Sequence, residues 1–181
     1  MGWLEYLAGL VAGDGTFHYS KGDGSYRVTI ADSDRAFLEH IRAKTYESLG
    51  YSGYIYKIPG KNAWALRYTR KALYTALLEK IPMLLLSPTL DFAAGIIDAE
   101  GSLQKPRRGS LRIVVVNTKV ELLEAVRKAL EPIVPELKIR PYGKPKGKEK
   151  QRYRLIIYGK ENVQKVLATT PLQHPKFKPV F

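Results

Sequence analysis

Hydrophobic and polar positions along the chain follow one sequence of patterns that occurs twice. Each half begins with an apolar run of small residues and continues with two alternating segments. An amphipathic stretch, two more alternating segments and a last amphipathic stretch follow. A period near 3.6 residues predicts helices, and strict alternation predicts half-buried strands. The pattern therefore predicts the order αββαββα in each half, with residues 1–86 as the first unit and residues 87–181 as the second.

The predicted elements of the first half are helices over 3–13, 34–49 and 70–80 and strands over 16–21, 26–31, 53–59 and 64–69. Those of the second half are helices over 88–99, 118–130 and 160–168 and strands over 102–105, 110–117, 137–144 and 152–159. Gly15 is expected to end the first helix in a left-handed conformation. Ser87 and Pro88 are expected to begin the first helix of the second half. Helices beside antiparallel strand pairs give an α+β fold with two antiparallel sheets.

The first helix of each half ends in an acidic residue followed by glycine. The first copy reads LAGLVAGDG from Leu7 to Gly15, and the second reads AAGIIDAEG from Ala93 to Gly101. Small residues recur four positions apart in both copies, a spacing that lets two helix backbones approach closely. We therefore expect the two helices to pack together at the centre of the molecule and to bring Asp14 and Glu100 to one place.

Two carboxylates at helix C-termini favour a bound cation. Each faces the negative end of a helix dipole, which costs roughly 0.3–1 kcal/mol, and the pair also repels itself. Mg²⁺ relieves both effects because it prefers one or two carboxylates together with water and phosphate oxygens. Asp14 and Glu100 are the candidate metal ligands, with the backbone carbonyls near Gly13 and Ala99 as further candidates. The alternative is a helix pair that has no function beyond packing.

The charge balance indicates a polyanionic partner. The chain of 181 residues carries a formal net charge of +13; residues 1–86 contribute +3 and residues 87–181 contribute +10. The basic residues alternate along strand-like segments and do not line an amphipathic helix. This distribution favours nucleic acid over a membrane surface.

Several other classes of site and location are disfavoured. The chain has no cysteine, so disulfides, thiolate zinc sites and cysteine nucleophiles are excluded. The N-terminus does not have the pattern of a signal peptide, and the apolar stretches are too short to cross a membrane. We expect an intracellular protein. The three histidines form no metal-ligand pattern, although His18 is a candidate DNA contact.

The two motif copies resemble those of the LAGLIDADG homing endonucleases, in the single-chain form with two motifs. The resemblance extends over the whole chain. The first copy departs from the name sequence at Ala12 and Gly13, and the second at Ala93, Ile96 and Glu100. The resemblance implies a saddle of two antiparallel sheets lying in the DNA major groove, with the motif helices at its centre. It also implies a monomer that cleaves both strands of a long, non-palindromic site.

The resemblance assigns the chemistry to Asp14 and Glu100. In the family these acids bind Mg²⁺, as two or more ions that Mn²⁺ or Ca²⁺ can replace for binding, between two phosphates that face each other across the minor groove. Cleavage leaves short 3′ overhangs. Family sites often include a polar residue at the end of the second strand of each half. Asp32 and Asn117 hold the corresponding places in this chain, and an aspartate is unusual there. Lys119 and Lys176 are candidates for the lysine that organises solvent, and exposed salt-bridging lysines are the alternative for both.

Strand alternation predicts which side chains face the groove. Arginine and glutamine suit bidentate readout of guanine and adenine edges, and phosphate contact is the alternative for each basic residue. The turn 106–109 and the loop 145–151 are expected to hold the DNA backbone. The predicted DNA contacts are His18, Ser20, Arg27, Thr29, Arg67, Gln104, Arg107, Arg108, Arg112, Lys138, Arg140, Tyr142, Lys144, Arg152 and Arg154. Tyr54 and Tyr56 are expected in core edges and cross-strand pairs.

Two other functions fit the same pattern. The first is an RNA-binding maturase that assists splicing of its host intron. The second is a catalytically inactive DNA-binding regulator on the same fold. Retention of both acids argues against the inactive regulator, and the sequence does not separate the endonuclease from the maturase.

Overall fold

A computed structural model of the chain describes residues 2–106, 109–145 and 147–178. The predicted DNA contacts Arg107 and Arg108 lie outside the described residues. Within this part of the chain, no single helix is long and apolar enough to cross a membrane, and the one pair that reaches the length together is bent by 103°.

The elements follow the predicted order in both halves. The first half contains α1 (Trp3–Asp14), β1 (Gly15–Tyr19), β2 (Tyr26–Asp32), α2 (Arg35–Leu49), β3 (Tyr54–Lys57), β4 (Trp64–Tyr68) and α3 (Lys71–Leu86). The second contains α4 (Leu90–Glu100), β5 (Gly101–Gln104), β6 (Arg112–Asn117), α5 (Val120–Leu130), β7 (Ile139–Tyr142), β8 (Arg152–Tyr158) and α6 (Lys160–Thr169), followed by a 3-10 turn at Pro175–Phe177. The α+β fold is confirmed. The division at residues 86 and 87 stays a prediction.

Each half contributes one antiparallel sheet of four strands, and the two sheets have equivalent strand orders. The orders are β1-β2-β4-β3 and β5-β6-β8-β7. Because residues paired across strands lie on the same face of a sheet, the register separates each sheet into an inner and an outer face. Val28, Ile30 and Leu66 lie on the buried face of the first sheet, and Val115, Leu155 and Ile157 on that of the second. The two sheets form a saddle whose inner faces pack on the helices.

Helices α1 and α4 pack against each other at the centre of the core with almost no space between their backbones. A Cβ atom added to Gly9 would lie 2.0 Å from the carbonyl oxygen of Phe92, and one added to Gly95 would lie 2.1 Å from that of Tyr6. Only glycine permits this approach on both sides. Residues around the contact are fully buried, so the helix ends are held by the core of the whole molecule.

Two expected helix boundaries are wrong. Gly15 follows α1 with φ −89° and ψ 162°, an extended conformation; glycine is required there because a Cβ would lie 2.6 Å from the backbone of Val11. Ser87 and Pro88 do not begin α4. Its N-cap is Thr89, whose hydroxyl accepts from the Phe92 N–H, and Ser87 caps the C-terminus of α3. Helix α3 continues through Pro82 because the next turn buries Leu84.

Candidate active site and nucleic-acid interface

The C-terminal ends of α1 and α4 meet and bring one acid from each half together. A Cβ atom on Gly13 would lie 2.6 Å from the Ala99 Cβ and 3.2 Å from the Glu100 Cγ. Asp14 is the last residue of α1, and Glu100 is the last residue of α4. The small residue at position 13 therefore sets how closely the two carboxylates approach.

Glu100 is the more perturbed of the two acids. Burial and then the charge of Asp14 raise its pKa to about 7, although Lys119, Asn117 and Lys176 act in the opposite direction. The Asn117 side-chain amide donates to Glu100 Oε1 at 2.6 Å, and Asn117 Oδ1 accepts from the Lys119 N–H at 2.8 Å. Asn117 thus fixes the orientation of the Glu100 carboxylate, and the Lys119 side chain is exposed.

Asp14 also has a raised pKa. Desolvation is the main cause; Lys176 lowers the pKa of Asp14, and Asp32 raises it. The residue stays open to solvent, so its carboxylate lies among protein atoms and is still accessible. An accessible, partly desolvated carboxylate beside a second one is a favourable place for a cation, because binding would remove both the desolvation penalty and the repulsion.

An open pocket of about 570 Å³ extends from Asp14 toward the C-terminal segment. It is lined by Asp14, Ala31, Asp32, Ser33, Ala63, Ala99, His174 and Lys176. Asp32 Oδ2 lies 3.4 Å from His174 Nε2, and Asp32 Oδ1 accepts from the Asp34 N–H at 2.7 Å. Hydrogen bonds from His174 and from the Asp34 N–H outweigh burial and lower the pKa of Asp32. The pKa values of Asp32 and Asp14 are therefore shifted in opposite directions, because Asp32 accepts hydrogen bonds that favour its ionised form.

Lys176 is the cation that the structure places in this pocket. Its Nζ donates to the backbone oxygen of Asp98. Burial lowers the pKa of Lys176, and the charges of Asp98, Asp32, Asp14 and Glu100 oppose this effect. The sequence predicted no role for His174 or Asp98. The only signal was the motif itself, where the second copy has Asp98 at the position of Ala12.

The carboxylates of Asp14 and Glu100 fit a divalent ion whose other ligands come mainly from outside the protein. Among the described residues, no group of three or more His, Asp or Glu side chains has the geometry to hold a metal. The protein contribution is therefore one accessible carboxylate from each half. Such a site suits Mg²⁺, which keeps several waters and phosphate oxygens in its shell.

The outer face of the first sheet presents Thr16, His18, Arg27, Thr29, Arg67, Tyr54 and Tyr56 on one surface, as the register requires. Ser20 follows β1 in the adjoining turn, where its N–H donates to the Ser25 carbonyl. Arg67 donates to Thr29 Oγ1 at 3.3 Å, to Tyr54 OH at 3.2 Å and to Tyr56 OH. The tyrosines thus form cross-strand contacts on the outer face and do not lie at core edges.

The outer face of the second sheet is more basic. Gln104, Arg112, Arg140, Tyr142, Arg152 and Arg154 share this face through the register, and Lys138 and Lys144 flank β7. Arg112 donates to Gln104 Oε1 at 3.0 Å. The Arg152 and Arg154 guanidinium groups lie 5.6 and 5.2 Å from the Tyr142 ring centre.

Cations on the outer sheet faces and cations on the helices have different partners. Five cations on the helices pair with carboxylates, in Arg35–Glu39, Lys44–Glu47, Lys80–Glu5, Arg127–Glu124 and Lys165–Glu161. On the outer sheet faces, Arg27 pairs with Asp23 at 3.3 Å. Arg67, Arg112, Arg152 and Arg154 contact neutral side chains, so their positive charge is available to an external anion.

Two copies of one motif, each delivering an acid to the centre of a two-sheet saddle, define a two-motif LAGLIDADG protein. The model of the family described as LAGLIDADG-like domain matches residues 3–82 and again residues 87–170. The chain belongs to this family.

Solved structures of homing endonucleases share the fold. A variant of I-DmoI in complex with its nicked target DNA and manganese superposes with a TM-score of 0.71 at 24% identity, over 93% of this chain and 94% of that one. I-WcaI bound to its DNA recognition sequence gives 0.62 at 16% identity, over 97% and 84%. WhiA from Thermotoga maritima gives 0.62 at 12% identity, over 96% of this chain and 56% of that one. At these identities the likeness is one of fold.

A curated relative is an uncharacterised protein of Methanocaldococcus jannaschii. It is 27% identical over 185 aligned positions, which cover 89% of this chain. The chain spans 63% of the length of that relative.

Proposed function

We propose that the protein is a site-specific endonuclease that cuts both strands of a DNA duplex. The observation that carries this proposal is the pair of acids, Asp14 and Glu100, located between two sheets whose outer faces carry arginines such as Arg67, Arg112, Arg152 and Arg154 in contact with neutral groups. The solved I-DmoI structures that share the fold contain DNA with manganese or calcium. An acidic centre flanked by basic faces suits a phosphodiester substrate that arrives together with its cations.

Asp14 and Glu100 would hold Mg²⁺, as two or more ions, with Mn²⁺ or Ca²⁺ able to replace it for binding. The backbone carbonyls of Gly13 and Ala99 are the candidates for further oxygen ligands. Bound divalent ions activate water and stabilise the leaving oxygen of an in-line displacement. Asn117 orients Glu100 through its 2.6 Å hydrogen bond, and Lys176 supplies a cation from the pocket wall. Lys119, which is exposed, is the weaker candidate for that role.

The outer sheet faces would bind the major groove. Sheet-face arginines and Gln104 are suited to reading base edges, and Lys138, Lys144 and the loop 145–151 to contacting phosphates. Because the two halves differ in charge and in outer-face residues, the target would be long and non-palindromic and the protein would act as a monomer. We further propose short 3′ overhangs and an intracellular setting. Host intron RNA would be the second ligand of the same faces.

The test is selection of cleaved sites from a randomised duplex library in Mg²⁺. We expect the wild type to enrich one asymmetric site, and Asp14→Asn and Glu100→Gln to bind that site in Ca²⁺ without cutting it. Glu47→Gln, on the exposed surface of α2, is the matched control and should cut at the wild-type rate. Mg²⁺-dependent cutting by the double variant would refute the proposal. Duplex binding by a wild type that does not cut would favour an inactive DNA-binding protein.

A further inference from the structure

The segment after α6 is fixed to the catalytic centre through the buried acid Asp98. Asp98 is completely buried. Its Oδ2 accepts from the Gln173 N–H at 2.6 Å and from the Tyr6 hydroxyl at 2.7 Å. Tyr6 lies on α1 and Asp98 on α4, so this anchor joins the C-terminal segment to both central helices. These two donors fix the buried carboxyl group, because losing either one would leave its hydrogen-bonding capacity less satisfied in the core.

His174 provides a second anchor, this time to the first half. Its Nε2 lies 3.4 Å from Asp32 Oδ2, and its ring packs on Phe37 with ring centres 4.3 Å apart. His174 Nδ1 accepts from the Lys176 N–H at 3.1 Å, so the ring proton belongs on Nε2, where it points to Asp32. The side chain is only 8% exposed. Through this ring, Asp32 holds the backbone of Lys176.

Positions 32 and 117 are equivalent in the fold, yet they contact different groups. Each ends the second strand of its half and accepts from the N–H two residues later, Asp34 and Lys119 respectively. Asn117 donates directly to the catalytic candidate Glu100. Asp32 instead contacts His174, and its charge disfavours direct pairing with Asp14.

In the described residues, the segment that follows α3 supplies no lysine equivalent to Lys176. The segment that follows α3, Ser87 to Thr89, contains no basic residue, and Ala12 takes the place of Asp98. The described residues therefore deliver one lysine to the pocket, and it enters from the C-terminal side.

We propose that Asp32 and His174 are positioning residues that hold Lys176 in the pocket lined by the catalytic candidate Asp14. This inference rests on the proposed endonuclease function and deepens it. Asp32 acts through Lys176 and does not itself ligate metal or touch substrate. Two separated acids, Asp32 from the first half and Asp98 from the second, fix the segment from both sides, so the lysine is in place before DNA arrives.

The test is a mutant cycle on single-turnover cleavage at saturating protein. Lys176→Met should slow cleavage about 100-fold, the lower end of what a proton-transferring group contributes. Asp32→Ala and His174→Ala should each slow it about tenfold, because Lys176 is then held less often in place. Asp32→Asn keeps one oxygen acceptor, which can serve the Asp34 N–H or the His174 Nε2–H but not both, and should restore only part of the rate. Asp32→Ala in the Lys176→Met background should cause no further loss, since its effect passes through the missing lysine.

Two readouts separate positioning from damage to the fold. Affinity for the target duplex in Ca²⁺ should be unchanged in all these variants. Amide exchange at Lys176 should speed up in Asp32→Ala and lie between that value and the wild-type value in Asp32→Asn. Lys178→Met removes the same charge from an exposed position two residues away and should cut normally.

The inference is overturned if Asp32→Ala cuts at the wild-type rate, or if its loss persists in full in the Lys176→Met background, which would make Asp32 a ligand of metal or substrate. It is also overturned if Lys176→Met cuts normally while Asp14→Asn is inactive. Mg²⁺-dependent cutting by the double variant, which carries both Asp14→Asn and Glu100→Gln, would instead refute the proposed endonuclease function.

Discussion

Replacing Glu100 by glutamine should stabilise the metal-free protein at pH 8. Ionisation of the Glu100 carboxyl group is unfavourable because the group is partly desolvated and lies beside Asp14, so its pKa rises from 4.5 to about 7. A raised pKa means that the folded state holds a proton that the unfolded chain has released. The free energy of unfolding therefore falls as pH rises from 4.5 to about 7, and the penalty is complete above that range.

The size of the effect follows from the same values. A pKa near 7 in place of 4.5 corresponds to roughly 3 kcal/mol between the protonated and ionised forms. Glu100 keeps contact with solvent, which screens part of this energy, so we expect a gain of ~1–2 kcal/mol for Glu100→Gln. In a domain of this size that is a rise in melting temperature of about 2–8 °C. The glutamine oxygen can still accept from Asn117, so the neighbouring contact is kept.

The assay is thermal unfolding in EDTA at pH 8 and at pH 4. The stabilisation should be present at pH 8 and absent at pH 4, where the acid is protonated in both states. Adding Mg²⁺ should raise the melting temperature of the wild type and leave that of Glu100→Gln nearly unchanged, because ligand binding to the folded state adds stability. Glu47→Gln, an exposed control, should change stability by at most about 0.5 kcal/mol. A variant that melts below the wild type at pH 8, or a gain that is equal at both pH values, would refute the reasoning.

Three further predictions concern packing and DNA recognition. Gly95→Ala should lower the free energy of unfolding, measured by chemical denaturation, by about 1–3 kcal/mol, because the new Cβ would lie 2.1 Å from the backbone of α1. The control Gly22→Ala has open space around the new Cβ and should leave the free energy of unfolding nearly unchanged. Arg67→Lys should relax base preference at one position of the selected site by about 1–3 kcal/mol, because lysine keeps the charge and loses the fork that Tyr54 and Tyr56 support; unchanged preference would contradict this role. Removing Arg140 and Arg152 together should reduce the slope of log affinity against log salt by about 2, and removing Arg127, which pairs with Glu124 on α5, should leave the slope as it is.

Local periodicity predicted the elements and their faces. Alternation along β2 and β4 placed Arg27, Thr29 and Arg67 on one face without knowledge of the strand order, because side chains in a strand alternate whatever the strand pairs with. It did not reveal that Tyr54 and Tyr56 would support Arg67, since that contact depends on which strands become neighbours.

Helix boundaries also depend partly on local sequence and partly on tertiary packing. The predicted helix over 70–80 ended too early: α3 continues through Pro82 to Leu86 and buries Leu84, and the cap of α4 is Thr89 in place of Ser87. Burial of a side chain in the shared core outweighed the local cost of proline inside a helix.

The sequence by itself determined the two-fold repeat, the α+β class, the alternation of the sheet faces and the pairing of Asp14 with Glu100 as candidates, because each depends on residues close in the chain or on the repeat itself. The tertiary structure alone decided that Asp32, Asp98 and His174 converge on Lys176. These residues come from β2, α4 and the C-terminal segment, and no local pattern links them. They meet because the close contact of Gly9 with Gly95 brings the two halves together and leaves room at the helix ends for the C-terminal segment to bind.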